Sequence, residues 1–118
     1  MNNNNFQQQH RLFRQAVRDF VKSELLPNVD DWEEKGFLPK TIFREMGELG
    51  FLGLEFENEF GGSQTDFWMT VVFAEELAKC KSGGVGFSVI VHTDMSSPWL
   101  QKYGTDEQKT EYMPDIVK

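Results

Sequence analysis

Residues 85–103 read VGFSVIVHTDMSSPWLQKY, and the fold turns on how this stretch is read. Its Val, Ile, Phe and Thr favour a strand locally. Its length argues instead for a buried helix, because strands rarely exceed about ten residues. Pro98 falls inside the run and predicts a kink or a break there. Gly104 ends it.

Both flanks support the helical reading. Upstream, Ser82-Gly83-Gly84 breaks an amphipathic but unusually apolar helix expected from about Asp66 to Lys79, with Trp68, Val71, Val72, Leu77 and Ala78 along it. Downstream, Thr105 opens a last helix, and Gln108 three residues on completes a capping-box pattern. Tyr112, Met113, Ile116 and Val117 give that helix an apolar face, which Pro114 interrupts.

The first half of the chain follows the same pattern. From Phe6 to about Leu25, the residues Leu12, Phe13, Ala16, Val17, Phe20 and Val21 recur at helical spacing, and Pro27 stops the helix. Asn28 is placed to cap a short second helix that Gly36 ends. Pro39 suits the first turn of a third, whose apolar face is Ile42, Phe43, Met46 and Leu49, closed by Gly50. Phe51 to Gly62 has no helical period and reads as a loop or short extended segment. Residues 1–5, Met-Asn-Asn-Asn-Asn, are low in complexity and read as a disordered tail before a domain at 6–118. The expected architecture is all-α, an antiparallel helical bundle of five or six helices.

The 118 residues suit one small domain, and the proportions are globular, with 39% hydrophobic and 26% charged residues. Twelve basic residues against nineteen acidic leave −7, which argues against nucleic acid or an anionic membrane surface as partner. The longest uncharged apolar run, Val85 to Val91, is far short of a membrane span. No basic start leads into an apolar stretch, and the N-terminus is not rich in Arg, so neither a secretory signal nor a transit peptide is expected. Cys80 stands alone, which excludes an internal disulfide and a cysteine-based zinc site. The C-terminus at Lys118 has no stop signal and reads as cut.

No complete catalytic set is visible. His92-Thr93-Asp94 lacks a third metal ligand at useful spacing, and a hydrogen-bonded helix histidine is the expected role. Glu75-Glu76 invites a di-iron reading, but that chemistry needs a His three residues on, where Ala78 and Lys79 stand. A partly buried pair of structural carboxylates is expected instead. Gly83-Gly84-Val85-Gly86 follows a helix rather than a strand and has Val at position 89, so it is no dinucleotide fingerprint. It reads as a turn whose glycines let another group come close. Cys80 is expected to be structural.

The order of local signatures adds a resemblance. FRQAVRDF at 13–20 leads to Leu26-Pro27 and Trp32-Glu33, then Phe37-Leu38-Pro39, MGELGFLG at 46–53 and Phe60-Gly61-Gly62. FAEELA at 73–78, YGTDEQK at 103–109, Tyr112 and Pro114 complete the succession. It resembles the N-terminal helical domain of the acyl-CoA dehydrogenases over nearly the whole chain. The resemblance implies a flavoprotein that oxidises an acyl-CoA thioester to its trans-2-enoyl form, with hydride passing to FAD and electrons to an electron-transferring flavoprotein. It implies a homotetramer, and a catalytic glutamate and main flavin grip in later domains. No residue of this chain is therefore named catalytic, and the segment alone is expected to be inactive and not to hold FAD. Glu75 and Glu76 match a structural position.

The resemblance also implies that the two central helices wall the acyl end of the substrate cavity. With Pro98 as anchor, the substrate-binding positions fall at Gly86, Phe87, Ile90, Val91 and Asp94, of which Gly86, Ile90 and Asp94 share a helical face. Gly61-Gly62 matches a loop near the flavin and substrate entrance. A bacterial cytoplasm is the expected compartment, or the mitochondrial matrix in a eukaryote. The alternative is a stand-alone helical protein-interaction module, which the acidic surface and many aromatics would suit.

Overall fold

The computed structural model describes residues 3–118, with side chains from residue 8 onward. Helix α1 (Asn3–Phe20) continues through a π-helical turn, Val21–Leu25. Then come α2 (Val29–Lys35), α3 (Lys40–Glu48), a 3₁₀ turn at Asn58–Phe60 and α4 (Phe67–Leu77), which ends in a 3₁₀ turn at Ala78–Cys80. Helix α5 (Gly83–Ile90), a π-helical turn (Val91–Ser96) and α6 (Ser97–Tyr103) form one rod. Helix α7 (Asp106–Val117) closes the chain. The described residues contain six helical rods and no strand. Of the expected disordered tail, residues 1 and 2 lie outside the described residues, and α1 begins at Asn3.

The decisive stretch is helical, and Pro98 does not break it. Pro98 has no N–H to offer the preceding turn. The helix widens over Val91–Ser96 just before it, and the Ser97 hydroxyl donates to the His92 carbonyl. One part of the expectation fails: the helix is not buried all round. Phe87, Met95, Trp99 and Tyr103, spaced in fours and multiples of four, are exposed, with Trp99 and Tyr103 rings stacked at 5.3 Å.

Caps explain most of the other boundaries. The Thr105–Gln108 capping box is present in both directions, Asp66 accepts from the Met69 N–H at the start of α4, and Ser82 accepts from the Val85 N–H at the start of α5. Gly36 ends α2 at φ +79°, where a side chain would be strained. Asn28 departs from its expected role. Its amide donates to the Glu24 carbonyl at 2.9 Å, and α2 instead carries Asp30 and Asp31 in its first turn, where the helix dipole favours negative charge. Pro39 sits one residue before α3 rather than inside its first turn.

The main core joins α1, α3, α4 and α5 around Phe51, whose ring meets Phe13, Phe20 and Phe73 at 5.6–5.9 Å between centroids. A smaller core holds Phe56 and Phe60 of the loop against Met113 and Val117 of α7. The loop is tied to the α5–α6 rod by the Gly53 N–H, which donates to the buried Thr93 hydroxyl at 2.9 Å. Leu12, Leu49, Trp68 and Tyr112, expected on inward faces, are more than half exposed.

The paired glutamates are unequal. Glu76 is fully buried and accepts from Arg14, Arg18 and Lys79 at 2.9 Å each, whereas Glu75 is largely exposed and pairs with Arg14 at 2.8 Å. This cluster pins α1 to α4. Cys80 is buried and hydrogen-bonds the Ser82 carbonyl. The group that approaches the Gly83-Gly84 turn is Glu33 of α2: its carboxylate accepts from the Ser82 hydroxyl and would lie 3.2 Å from a Cβ at Gly84.

Candidate functional site

Helices α4 and α5–α6 run antiparallel through the turn at residues 78–82, and a crevice follows their seam. At its turn end is a groove of about 380 Å³. Ala74, Leu77 and Ala78 line it from α4; Gly83, Gly86, Phe87 and Ile90 line it from α5. Small residues leave it open: Ala74, Ala78 and Gly83 are exposed, and Gly86 is half-buried. A Cβ at Gly86 would meet nothing within 4 Å. Lys81 and Ser82 complete the lining, so the walls are mainly apolar, which suits a hydrocarbon ligand.

Further along the same two helices lies a second cavity of about 380 Å³. Phe67 and Thr70 of α4 face Thr93, Asp94, Pro98 and Gln101 across it, and the loop adds Leu54, Glu55 and Phe56. On α4 the succession Phe67, Thr70, Ala74, Ala78 is one helical stripe. The two cavities are therefore successive stations of one seam.

Gly86, Phe87 and Ile90 share the first groove, Asp94 lines the second cavity, and Val91 is half-buried and lines neither. The π turn begins at Val91 and changes the period from the α-helical one, so a face projected from regular spacing drifts there. The α4 half of the seam was missed in the sequence reading. Its only signal is the pair of small residues Ala74 and Ala78, four apart in a helix otherwise rich in large side chains.

His92 is occupied. Its Nε2–H donates to the Ile116 carbonyl at 2.8 Å, and its ring packs edge-on against Phe43. Among the described residues no cluster of His, Cys, Asp and Glu could hold a metal ion.

Asp94 is the electrostatic outlier of the seam. Burial, with Glu55 adding repulsion, pushes its carboxyl up to about 6. In the unfolded chain it would titrate near 3.8. The native state thus holds the proton more tightly, and stability falls as pH rises between roughly 4 and 6. Asp94→Asn is expected to remove that slope and to stabilise this domain at pH 7.5 by about 1 kcal/mol, a figure reduced for the group's partial contact with water. Urea denaturation of both proteins at pH 3.5 and pH 7.5 checks this. A gain of equal size at both pH values would sink the explanation.

The family model described as "Acyl-CoA dehydrogenase, N-terminal domain" matches residues 7–118. The chain belongs to the acyl-CoA dehydrogenase family. Among curated relatives, the mitochondrial long-chain specific acyl-CoA dehydrogenase of Rattus norvegicus is 33% identical over 112 residues, covering 95% of this chain and 26% of the relative. The crystal structure of acyl-CoA dehydrogenase from Geobacillus kaustophilus matches with a TM-score of 0.83 and 39% identity over 92% of this chain and 28% of its own. A glutaryl-CoA dehydrogenase from Mycobacterium smegmatis, solved in complex with FADH2, gives a TM-score of 0.85 at 33% identity over 93% of this chain and 28% of its own. The chain thus spans about a quarter of the length of the acyl-CoA dehydrogenases it matches. The all-α architecture is that of their N-terminal domain, and no helix among the described residues is long and apolar enough to cross a membrane.

Proposed function

We propose that this chain is the N-terminal wall of an acyl-CoA dehydrogenase and that the α4–α5 groove takes the acyl chain of an acyl-CoA thioester. The observation that carries the reading is the groove itself: mainly apolar, roomy because of the small residues Ala74, Ala78 and Gly86, and set in a domain of this family. Gly86, Phe87 and Ile90 are proposed as substrate-binding in this groove, with Val91 and, in the second cavity, Asp94. Each methylene buried there gains about 0.8 kcal/mol, so such a wall both binds a chain and measures its length.

FAD, the hydride acceptor the family implies, is not fitted by these residues. The Gly61-Gly62 pair is used inside the fold: a Cβ at Gly62 would strike the Phe56 backbone, and one at Gly61 would meet Val117 Cγ2 at 3.0 Å. The ionisable groups lining the first groove and the second cavity are Lys81, Glu55, Asp94 and Lys102, two of each sign, so neither offers the concentrated positive charge that a pyrophosphate calls for. We assign the flavin and the base that removes the substrate proton to the other three-quarters of an enzyme of this family, along with the docking of an electron-transferring flavoprotein. The exposed stripe Phe87, Met95, Trp99 and Tyr103 supports burial against such further parts or subunits, and a homotetramer is the assembly proposed. The proposed compartment is a bacterial cytoplasm, or the mitochondrial matrix in a eukaryote.

The test uses the protein encoded by the complete reading frame that carries this chain. It should oxidise acyl-CoA thioesters with an artificial electron acceptor. Gly86→Leu should place a side chain the size of three or four methylenes in the groove. Long acyl chains are then expected to lose about 50-fold or more in kcat/KM while butyryl-CoA is nearly unaffected. The fold should survive, since leucine is the better helix former. Equal losses at every chain length would remove the groove from the acyl site. A frame that encodes no flavin-binding part and yields no dehydrogenase activity would favour the interaction module.

A further inference from the structure

A third cavity, of about 280 Å³, lies where the end of α1 meets the end of α4, and it shares no lining residue with the two cavities of the seam. Arg18, Val21, Lys22 and Leu26 line it from α1 and the π turn that prolongs it, and Glu76 and Lys79 line it from the other side. Its charges do not balance. Arg18, Lys22 and Lys79 bring three positive charges against the single negative charge of Glu76, which leaves +2 in a chain whose total is −7. Glu75, the neighbouring carboxylate, is paired with Arg14.

The cations also keep donors in reserve. Arg18 gives Nε and Nη2 to Glu76, and Lys79 gives it one N–H. Among the described residues this leaves Arg18 Nη1, two N–H groups of Lys79 and all three of Lys22 without a protein acceptor. Arg18 and Lys22 stand four apart on one helical run, a spacing at which like charges repel, and Lys79 brings a third cation across the cavity. Val21, which is buried, and Leu26, which is half-buried, give the same cavity apolar wall. A cleft with charge of one sign and low-dielectric walls concentrates the potential. The π turn that carries Val21 and Lys22 is itself a device found often at functional sites.

The excess charge selects among anions. A carboxylate would meet only half of it. A phosphate monoester carries about two negative charges at pH 7.5 and presents three strong acceptor oxygens. Its organic part would lie against Val21 and Leu26. We propose that this cavity binds a small phosphate monoester, with Arg18, Lys22 and Lys79 donating to the phosphate. The proposal does not depend on the reading of the α4–α5 groove as the acyl site.

The experiment titrates phenyl phosphate by calorimetry into the protein encoded by the complete reading frame, at pH 7.5 and constant ionic strength. Saturable binding is expected, weakened about tenfold by Lys22→Gln and restored by Lys22→Arg. Lys22 makes no bond to Glu76, so Lys22→Gln should keep the urea midpoint of wild type. Lys40→Gln removes the same charge at the start of α3 and should leave binding unchanged. Inorganic phosphate should bind about fivefold more weakly, because it leaves Val21 and Leu26 uncovered. No saturation by about 10 mM would overturn the inference. So would binding that ignores Lys22→Gln, or that Lys40→Gln weakens equally, since the effect would then be one of overall charge. An acyl-CoA itself carries a phosphate monoester, so inhibition kinetics identify the source. A raised KM for the acyl-CoA at unchanged kcat would assign the cavity to the substrate's own phosphate, and an unchanged KM to a separate phosphate ester. The calorimetric result holds whether or not the protein oxidises a thioester, so the two readings fail separately.

Discussion

Phe73→Ala should lower the stability of this domain by about 4 kcal/mol, the usual cost of emptying a buried aromatic site. Phe73 is 1% exposed at the middle of α4. Its ring meets Phe51 at 5.9 Å and Phe13 at 6.5 Å, so its loss strips contacts from the loop and from α1 together. Those rings are themselves held by chain connections on other elements and cannot all collapse into the void. Small domains have only about 5–15 kcal/mol in total. The variant is therefore expected to be substantially destabilised, with a urea midpoint shifted well down at unchanged slope. Phe73→Leu should cost much less, since most of the volume stays. Equal midpoints for the Ala variant and wild type would mean that the Phe51 cluster is not the stabilising core.

Glu76→Ala should cost about 2–3 kcal/mol. Removing one member of a buried ion cluster strands the rest, typically at 3–5 kcal/mol. The lower end applies here because Arg14, Arg18 and Lys79 reach partly into water. The pH dependence identifies the cause. The Arg18 guanidinium above all, with Lys79 and Arg14, holds the Glu76 carboxyl down to about 2 against the opposing effect of burial. A carboxylate that titrates lower in the folded state contributes stability above its ordinary value near 4.5 and loses it as pH falls through 2. Wild type should therefore lose stability between roughly pH 5 and 2, and the variant should lose part of that slope. A variant as acid-sensitive as wild type would show that other carboxylates dominate acid unfolding. Asp94 works in the opposite direction over pH 4–6, so the double variant should have the flattest profile.

Much of the fold was legible because the signals are local. The capping box at Thr105 and Gln108, the Ser82-Gly83-Gly84 break and Gly36 act over three or four residues, and the structure uses each of them. The misreadings share another cause. Asn28 has the right chemistry for a cap, yet the Glu24 carbonyl, left open at the end of the preceding π turn, is the nearer partner. Pro98 was expected to kink or break the rod, and a widened turn just before it carries the helix through without a break. In the site, the positions on α5 could be projected from spacing, whereas Val91 could not, because the period changes at that residue.

By itself the sequence determined that the chain is all-α, where most of its helices start and stop, and which family it belongs to, because propensity, capping and motif order are properties of neighbouring residues. The tertiary structure alone decided that Glu76 is buried among three cations while Glu75 is exposed, that Glu33 fills the space beside Gly84, and that Asp94 lines a cavity with Glu55 from a loop nearly forty positions away. Periodicity states which side chains share a face, but burial, pairing and the titration of a carboxyl depend on what stands opposite that face.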